Sequence, residues 1–426
     1  MTMASWACFL AGGLILTETF VLRRDLLSPG RLFSVLWFLV IGLTDLKLSR
    51  FQHEWSAEAW VYVLLGPCSF LLGIFIAYVV HMNKPLLTVR EMRNTWRNQI
   101  VIEPRLFVSV VVAFLLFVGA FLFIRYVKGV PAPLFSKTPG ITRAEFTVFG
   151  LGLFLHNVVI ILFFTVTYHL LVRGNNSRKW ILKILSGVSV ILYFFLLQRF
   201  ELFLTIVACT VLLHYATHRL RPRVVVLYSS FIVLLFYWVS TLRSGLGLFI
   251  YYLYQDSRMR FPPKFAILTE PYMYIAMNLE NFARGVEKIQ SHTFGYYSFD
   301  FLLAVTGLKH PLATYFGLDD TPFLISGYNT YSGFWVYERD FGILGVVFIP
   351  VLLGLGAGWL YYALRRTPTL YNLGLYGLAV FAILFSFFNN PLSFLWFMYT
   401  VAGMIVIIRF VQGSTKREAR LGEVPE

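Results

Sequence analysis

"YNTYSGFWVYERDFGILGVVFIPVLLGLGAGWLYYAL", Tyr328–Leu364, places aromatic rings and the charged run Glu338-Arg339-Asp340 directly before Phe341–Leu364, which carries no charge. A helix needs roughly 20 apolar residues to cross the hydrocarbon layer of a bilayer. The stretch therefore predicts a membrane span with a polar, ring-rich cluster at its lip, where neither water nor lipid suits every group. Similar uncharged runs recur at Ala59–Val80, Leu106–Ile124, Val224–Leu242 and Thr367–Ile408. They are continuous rather than alternating, and about twice as long as a barrel strand needs.

Composition agrees. Of 426 residues, 58% are hydrophobic and 13% charged, about half the charge fraction of a soluble protein. The expected fold is all-α: a polytopic helical membrane protein of about eleven transmembrane helices with one long extracytoplasmic loop. The spans are placed near 4–22, 31–46, 59–82, 105–124, 146–171, 181–198, 200–217, 224–242, 341–364, 371–389 and 391–409. Residues 1–242 form a bundle of about eight spans, 243–340 the long loop, 341–410 the last spans and 411–426 a cytoplasmic tail. With the N-terminus outside, 21 of the 36 Lys and Arg fall in segments left inside, as the positive-inside rule requires. That sorting accounts for the net charge of +15 without nucleic acid. The first segment, Ala4–Leu22, has no basic residues before it and no small-residue cleavage site, so it reads as a retained span.

Inside the loop, Ile275, Leu279, Phe282, Val286 and Ile289 recur at steps of four and three, the spacing of a helical stripe. Asn278, Asn281 and Arg284 take other faces. Such a helix is expected on the outer bilayer surface or as a roof over the bundle. The Gly-rich "LLGLGAG" (Leu352–Gly358) lacks the Lys of a phosphate loop, and small residues in a span serve close helix packing.

Glu18, Asp45, Arg199 and Glu201 lie in or beside spans, where ionised groups are costly and face a protein interior or a wet cavity. Arg199, Arg243 and Arg143 head spans on the outer side, and Arg258, Arg260, Arg284 and Arg339 complete an outward set. Guanidinium grips phosphate oxygens through paired hydrogen bonds, which suits a pyrophosphate ligand, while snorkelling to headgroups explains part of the set as well. His156, His169 and His214 read as satisfied core groups, and His292 and His310 as surface residues that could act as bases. Cys8, Cys68 and Cys209 fall in apolar runs and suggest neither a disulfide framework nor zinc. No metal-binding spacing is present, so neither metal nor cofactor is expected.

The opening stretch resembles the C-terminal signature of bacterial oligosaccharide repeat-unit polymerases, the Wzy-type O-antigen and capsule polymerases. The matching residues are Asn329, Thr330, Phe334, Tyr337, Asp340, Phe341, Gly342, Gly345 and Gly354. Arg199 in "LLQRFELF" is similar to the arginine that opens a mid-chain span in that family. The resemblance implies a metal-independent glycosyltransferase in the bacterial inner membrane. Its substrate would be an undecaprenyl-pyrophosphate-linked oligosaccharide, transferred as a block on the outer face in surface polysaccharide biosynthesis. It implies Arg199 and Arg243 as catalytic cations and Asp340 as the favoured base, with Glu338 and His292 behind it. Arg143, Asn329, Thr330, Tyr337, Arg339 and Arg284 would bind substrate, and a chain-length regulator protein is an expected partner. Asp340 has a second reading as the N-terminal cap of the ninth span. An O-antigen ligase or another lipid-linked sugar transferase shares this architecture. A transporter of such lipids is the reading from a different class, although no inverted repeat with broken helices is visible.

Overall fold

In a computed structural model, the described residues are 2–412, without 97–98, 218–221, 245–248, 289–290, 319–324, 326–327 and 329. Within 222–244 the side chains of 222, 224–226, 228–229, 232–233, 236 and 243–244 are also outside the description. The helices are α1 Met3–Val21, α2 Pro29–Asp45, α3 Ala57–His81, α4 Val89–Trp96, α5 Glu103–Lys128, α6 Pro139–Glu145, α7 Asn157–Leu171, α8 Asn176–Phe195 and α9 Phe200–Ala216. They continue as α10 Pro222–Ser244, α11 Phe249–Asp256, α12 Thr269–Lys288, α13 Asp300–Thr306, α14 Lys309–Phe316, α15 Trp335–Arg366, α16 Leu370–Phe385 and α17 Leu395–Gln412. Among the described residues there is no β-strand, only an isolated bridge between Ser49 and Met259.

Local sequence explains where these helices begin and end. Ser56 accepts the Ala59 N–H at the start of α3, and Asn175 does the same for Arg178 at the start of α8. Both satisfy backbone donors that a first turn leaves unpaired. Gly129 closes α5 with φ +62°, a conformation glycine adopts without strain.

Six segments are long and apolar enough to cross a membrane: α1, α3, α5, Leu151–Leu171, α15 and α17. The shorter apolar helices α9 and α16 accompany them. Large apolar side chains point outward from these segments, among them Phe75 and Val79 on α3, Leu115 and Leu122 on α5, and Leu344, Phe348 and Leu352 on α15. Helices apolar on both inner and outer faces suit lipid rather than water.

The chain divides into two compact units, each assembled from distant stretches. The first comprises Met1–Leu86, Gly247–Arg366 and Ala379–Met398. Its core joins Phe33 and Trp37 of α2, Val63 and Phe70 of α3, Leu279 and Phe282 of α12, and Trp335 and Tyr337 of α15. The second comprises Leu87–Leu246, Thr367–Leu378 and Tyr399–Glu426. In it α7 packs against α5, α8 and α9, burying Phe117, Phe163, Phe164, Tyr168 and Tyr193 completely.

Two elements carry detail that matters for the site. The stripe residues Leu279, Phe282 and Val286 of α12 are buried, but so are Asn278, Glu280 and Asn281 on its other faces. Thus α12 is packed on α2, α3 and α15 of the first unit, with polar as well as apolar faces covered, which suits the roof and not a helix lying free on the bilayer surface; Ile289 lies outside the described residues. A short helix precedes the ninth span: the helical run starts at Trp335 and is broken at Gly342 (φ +61°, ψ −147°), so the apolar helix itself begins beside the expected Phe341. A side chain at Gly342 would meet the His292 ring at 2.9 Å, so the break needs glycine twice over.

Candidate functional site

In the first unit, α12 holds the long outer segment together through buried polar groups. The Glu280 side chain is fully buried. It accepts from the His53 backbone N–H at 3.1 Å, the Trp55 indole at 2.9 Å and the Arg284 guanidinium at 3.3 Å, and it contacts His53 Nδ1. Two turns on, Glu287 lies 2.9 Å from His53 Nε2 and accepts the Ser56 N–H at 3.0 Å. Burial works against the charge of Glu287, but the Ser56 N–H and His53 hold its carboxyl below the usual range. His53 thus stands between two carboxylates, a clamp that fixes residues 51–56 to α12. Nothing in "FQHEW" announces it, because its partners are more than two hundred residues away. Glu287 follows Glu280 by seven positions, which puts both on one helix face, and that is the only sequence signal for it.

The polar residues expected to bind substrate take up positions around the same helix. Arg284 donates to the Phe51 carbonyl at 2.6 Å as well as to Glu280. The Thr330 hydroxyl bonds Asn278, and its carbonyl accepts from Asn281 at 2.8 Å. Tyr328 hydrogen-bonds Ser257, and burial pushes its phenol up to about 12. Asn329 lies outside the described residues. Arg284 and Thr330 are therefore joined to the framework of the long segment itself.

At the lip of α15, the completely buried Asp340 carboxylate accepts the Tyr297 N–H at 3.2 Å, the Ser298 N–H at 2.6 Å and the Thr293 hydroxyl. Asp340 is thus not the cap of its own helix; it caps the turn Thr293–Ser298. Arg339 donates to the Ser291 carbonyl. Trp335 stacks on Tyr331 with centroids 3.9 Å apart and meets Tyr297 edge-on at 5.0 Å. Four polar atoms in this stretch are buried without a hydrogen-bond partner among the described residues: Ser332 Oγ, Trp335 Nε1, Glu338 Oε2 and Arg339 Nε. Trp335, Glu338 and Arg339 are spaced three and four apart, so they share one face of the first turn. Native interiors leave few such atoms, and their concentration within eight residues marks a polar seat. Tyr337, buried on another face, lines an apolar cavity of about 240 Å³ with Phe33, Phe70, Phe334, Ala357 and Ile383.

The second unit holds the remaining arginines. Arg199 precedes α9 and is 2% exposed. Its Nη1 donates to Ser240 Oγ of α10 at 2.8 Å. Two residues on, buried Glu201 lies 2.8 Å from His156 Nδ1 and accepts the Tyr193 hydroxyl. Arg143 sits on α6, which packs against α10, and its Nε is buried with no hydrogen-bond partner among the described residues. The Arg243 side chain lies outside the described residues. Arg199 and the helix carrying Arg143 thus both meet α10. The pairing of His156 with Glu201 was not expected; the two are 45 residues apart, and only the fold brings them together. Among the described residues, no group of three or more His, Cys, Asp or Glu is placed to hold a metal ion.

No family model, no curated protein and no solved structure matches this chain.

Proposed function

We propose that the protein polymerises undecaprenyl-pyrophosphate-linked oligosaccharide repeat units, moving the growing chain as a block onto a new lipid-linked unit at the outer face of the bacterial inner membrane. The observation that carries this reading is Arg199: a guanidinium almost wholly buried at the head of an apolar helix, hydrogen-bonded to Ser240, with Arg143 on a helix packed against the same α10. An arginine at such a place is expensive and marks a substrate path or an anion. The leaving group of this reaction is a lipid diphosphate, and fixed cations aimed at developing charge supply a large part of such catalysis. The polar seat at Ser332–Arg339 fits a hydroxyl-rich ligand whose lipid end stays in the membrane. Eleven crossings, made by α1, α2, α3, α5, α7, α8, α9, α10, α15, α16 and α17, would put Arg199, residues 46–56 and residues 249–334 on the outer side.

The test compares surface polysaccharide from cells carrying wild-type protein, Arg199→Lys and Arg199→Ala at matched membrane levels. Removing one oxyanion-stabilising donor costs roughly 10²–10³ in rate, so Arg199→Ala should collapse the ladder of long chains to single repeats, with Arg199→Lys between. Normal long chains from Arg199→Ala would overturn the assignment. Full-length polymer that accumulates without being attached to its final acceptor would identify a ligase instead.

A further inference from the structure

Resting on that reading, we propose that His156, oriented by Glu201, takes the proton from the acceptor sugar hydroxyl. In the transfer, the acceptor oxygen forms a bond to the anomeric carbon while the bond from that carbon to the pyrophosphate oxygen breaks. The leaving lipid diphosphate keeps the electron pair, and the hydroxyl proton passes to His156 Nε2.

The geometry separates His156 from His81 and His169. His81 and His169 each turn Nδ1 onto the carbonyl four residues back, at 2.8 Å, which is how a helix satisfies a ring locally. His156 instead has Nδ1 2.8 Å from a carboxylate oxygen of Glu201, on a different helix. Glu201 is itself held by the hydroxyl of fully buried Tyr193 on α8. An imidazole that keeps its proton on the Nδ1 beside a carboxylate leaves Nε2 as its proton-accepting nitrogen. The side chain of His156 is 16% exposed against 6% for Glu201, so the ring is the part of the pair that reaches the surface. Arg199 stands two residues before Glu201 in the sequence. The flanking helix α5 carries no titratable side chain from Leu106 to Ile124. Asp340, the base suggested by resemblance, has its carboxylate taken up by three donors of its own loop.

Burying such a pair seldom stabilises a fold more than apolar residues of the same size would, which is why a chemical role is the better account of it. Glu201 is a positioning residue in this scheme; His156 is the catalytic one.

The experiment uses full-length protein in detergent with lipid-linked repeat units extracted from cells that lack it, and follows chain extension. His156→Ala should lower kcat by about 10² or more, the usual contribution of a positioned general base, with KM little changed. Free imidazole should restore at least about ten-fold of the lost rate in His156→Ala and none in Arg199→Ala, since only the former lacks a proton acceptor. Glu201→Gln, which keeps an oxygen facing Nδ1, should retain intermediate activity. A His156→Ala rate within about three-fold of wild type would overturn the proposal. So would a loss that imidazole leaves untouched while the melting temperature falls, since that pattern belongs to a structural pair. Wild-type protein that extends nothing would instead remove the polymerase reading, and this inference with it.

Discussion

At Asp340 three donors converge on one buried carboxylate, and their identity decides what the residue can do. Two are backbone N–H groups of a loop, Tyr297 and Ser298, and the third is the Thr293 hydroxyl. A carboxylate offers acceptors only, so each donor finds a lone pair. In Asp340→Asn the amide would turn an NH₂ group toward one of these donors, leaving a buried group unpaired at about 1–3 kcal/mol. The expected result is a lower melting temperature in detergent, with chain extension per folded molecule unchanged. An unchanged melting temperature with a hundred-fold fall in turnover would restore Asp340 to the chemistry. The neighbouring sequence, "YERDFG", reads equally well as cap or catalyst. What separates the two readings is the loop at 293–298, which the chain places more than forty residues earlier.

Helix pairs are governed by close approach. On α3 and α15 an added Cβ at Gly73 would lie 2.0 Å from the Val351 carbonyl oxygen, and one at Gly354 would lie 2.0 Å from that of Phe70. No side-chain adjustment relieves a clash with backbone, so the two helices touch main chain to main chain. Gly356, two residues on, has nothing within 4 Å of its added Cβ. Gly354→Ala should therefore destabilise by at least about 1–3 kcal/mol, the usual penalty for overpacking. Gly356→Ala should be neutral or slightly stabilising, since alanine is the better helix former. Thermal unfolding of both in the same detergent checks the contrast; equal behaviour would mean the crossing is looser than described. The sequence already announces that "LLGLGAG" packs against something, because small residues in a span have few other uses. It does not say against which helix, since periodicity reports a face and not its partner. The same limit applies to α12. Its apolar stripe is legible, yet the buried Asn278, Glu280 and Asn281 look like a solvated face until residues 53–55, Ile325 and Thr330 are joined to them. His53 and His156 were illegible for the same reason, their carboxylate partners being remote in sequence.

For the whole molecule, the question that length and hydropathy leave open is how many helices cross. A helix rises 1.5 Å per residue, so the 25 residues of α3 reach about 37 Å, more than the ~30 Å hydrocarbon layer. A crossing by α3 puts Glu54 and Asn83 on different sides. A crossing by α5, at 26 residues, would separate Asn83 from Lys137 in the same way, and one by Leu151–Leu171 would separate Lys137 from Ser177. Between Ser177 and Lys264 stand α8, α9 and α10. Three crossings there place Lys264 opposite Ser177; if the shorter α9 lies within the membrane without spanning it, two crossings return Lys264 to the side of Ser177. Single cysteines introduced at Glu54, Asn83, Lys137, Ser177 and Lys264 decide this, in a background with Cys8, Cys68 and Cys209 replaced. An impermeant maleimide applied to intact cells should label positions 54, 137 and 264, and should label 83 and 177 only after the membrane is opened. Labelling at 54 and 137 without 264 would turn the 249–334 segment to the cytoplasm. The buried polar seat beside Trp335 and the clamp on α12 would then face the wrong compartment for any substrate presented outside, and the eleven-crossing arrangement would fall on that single position.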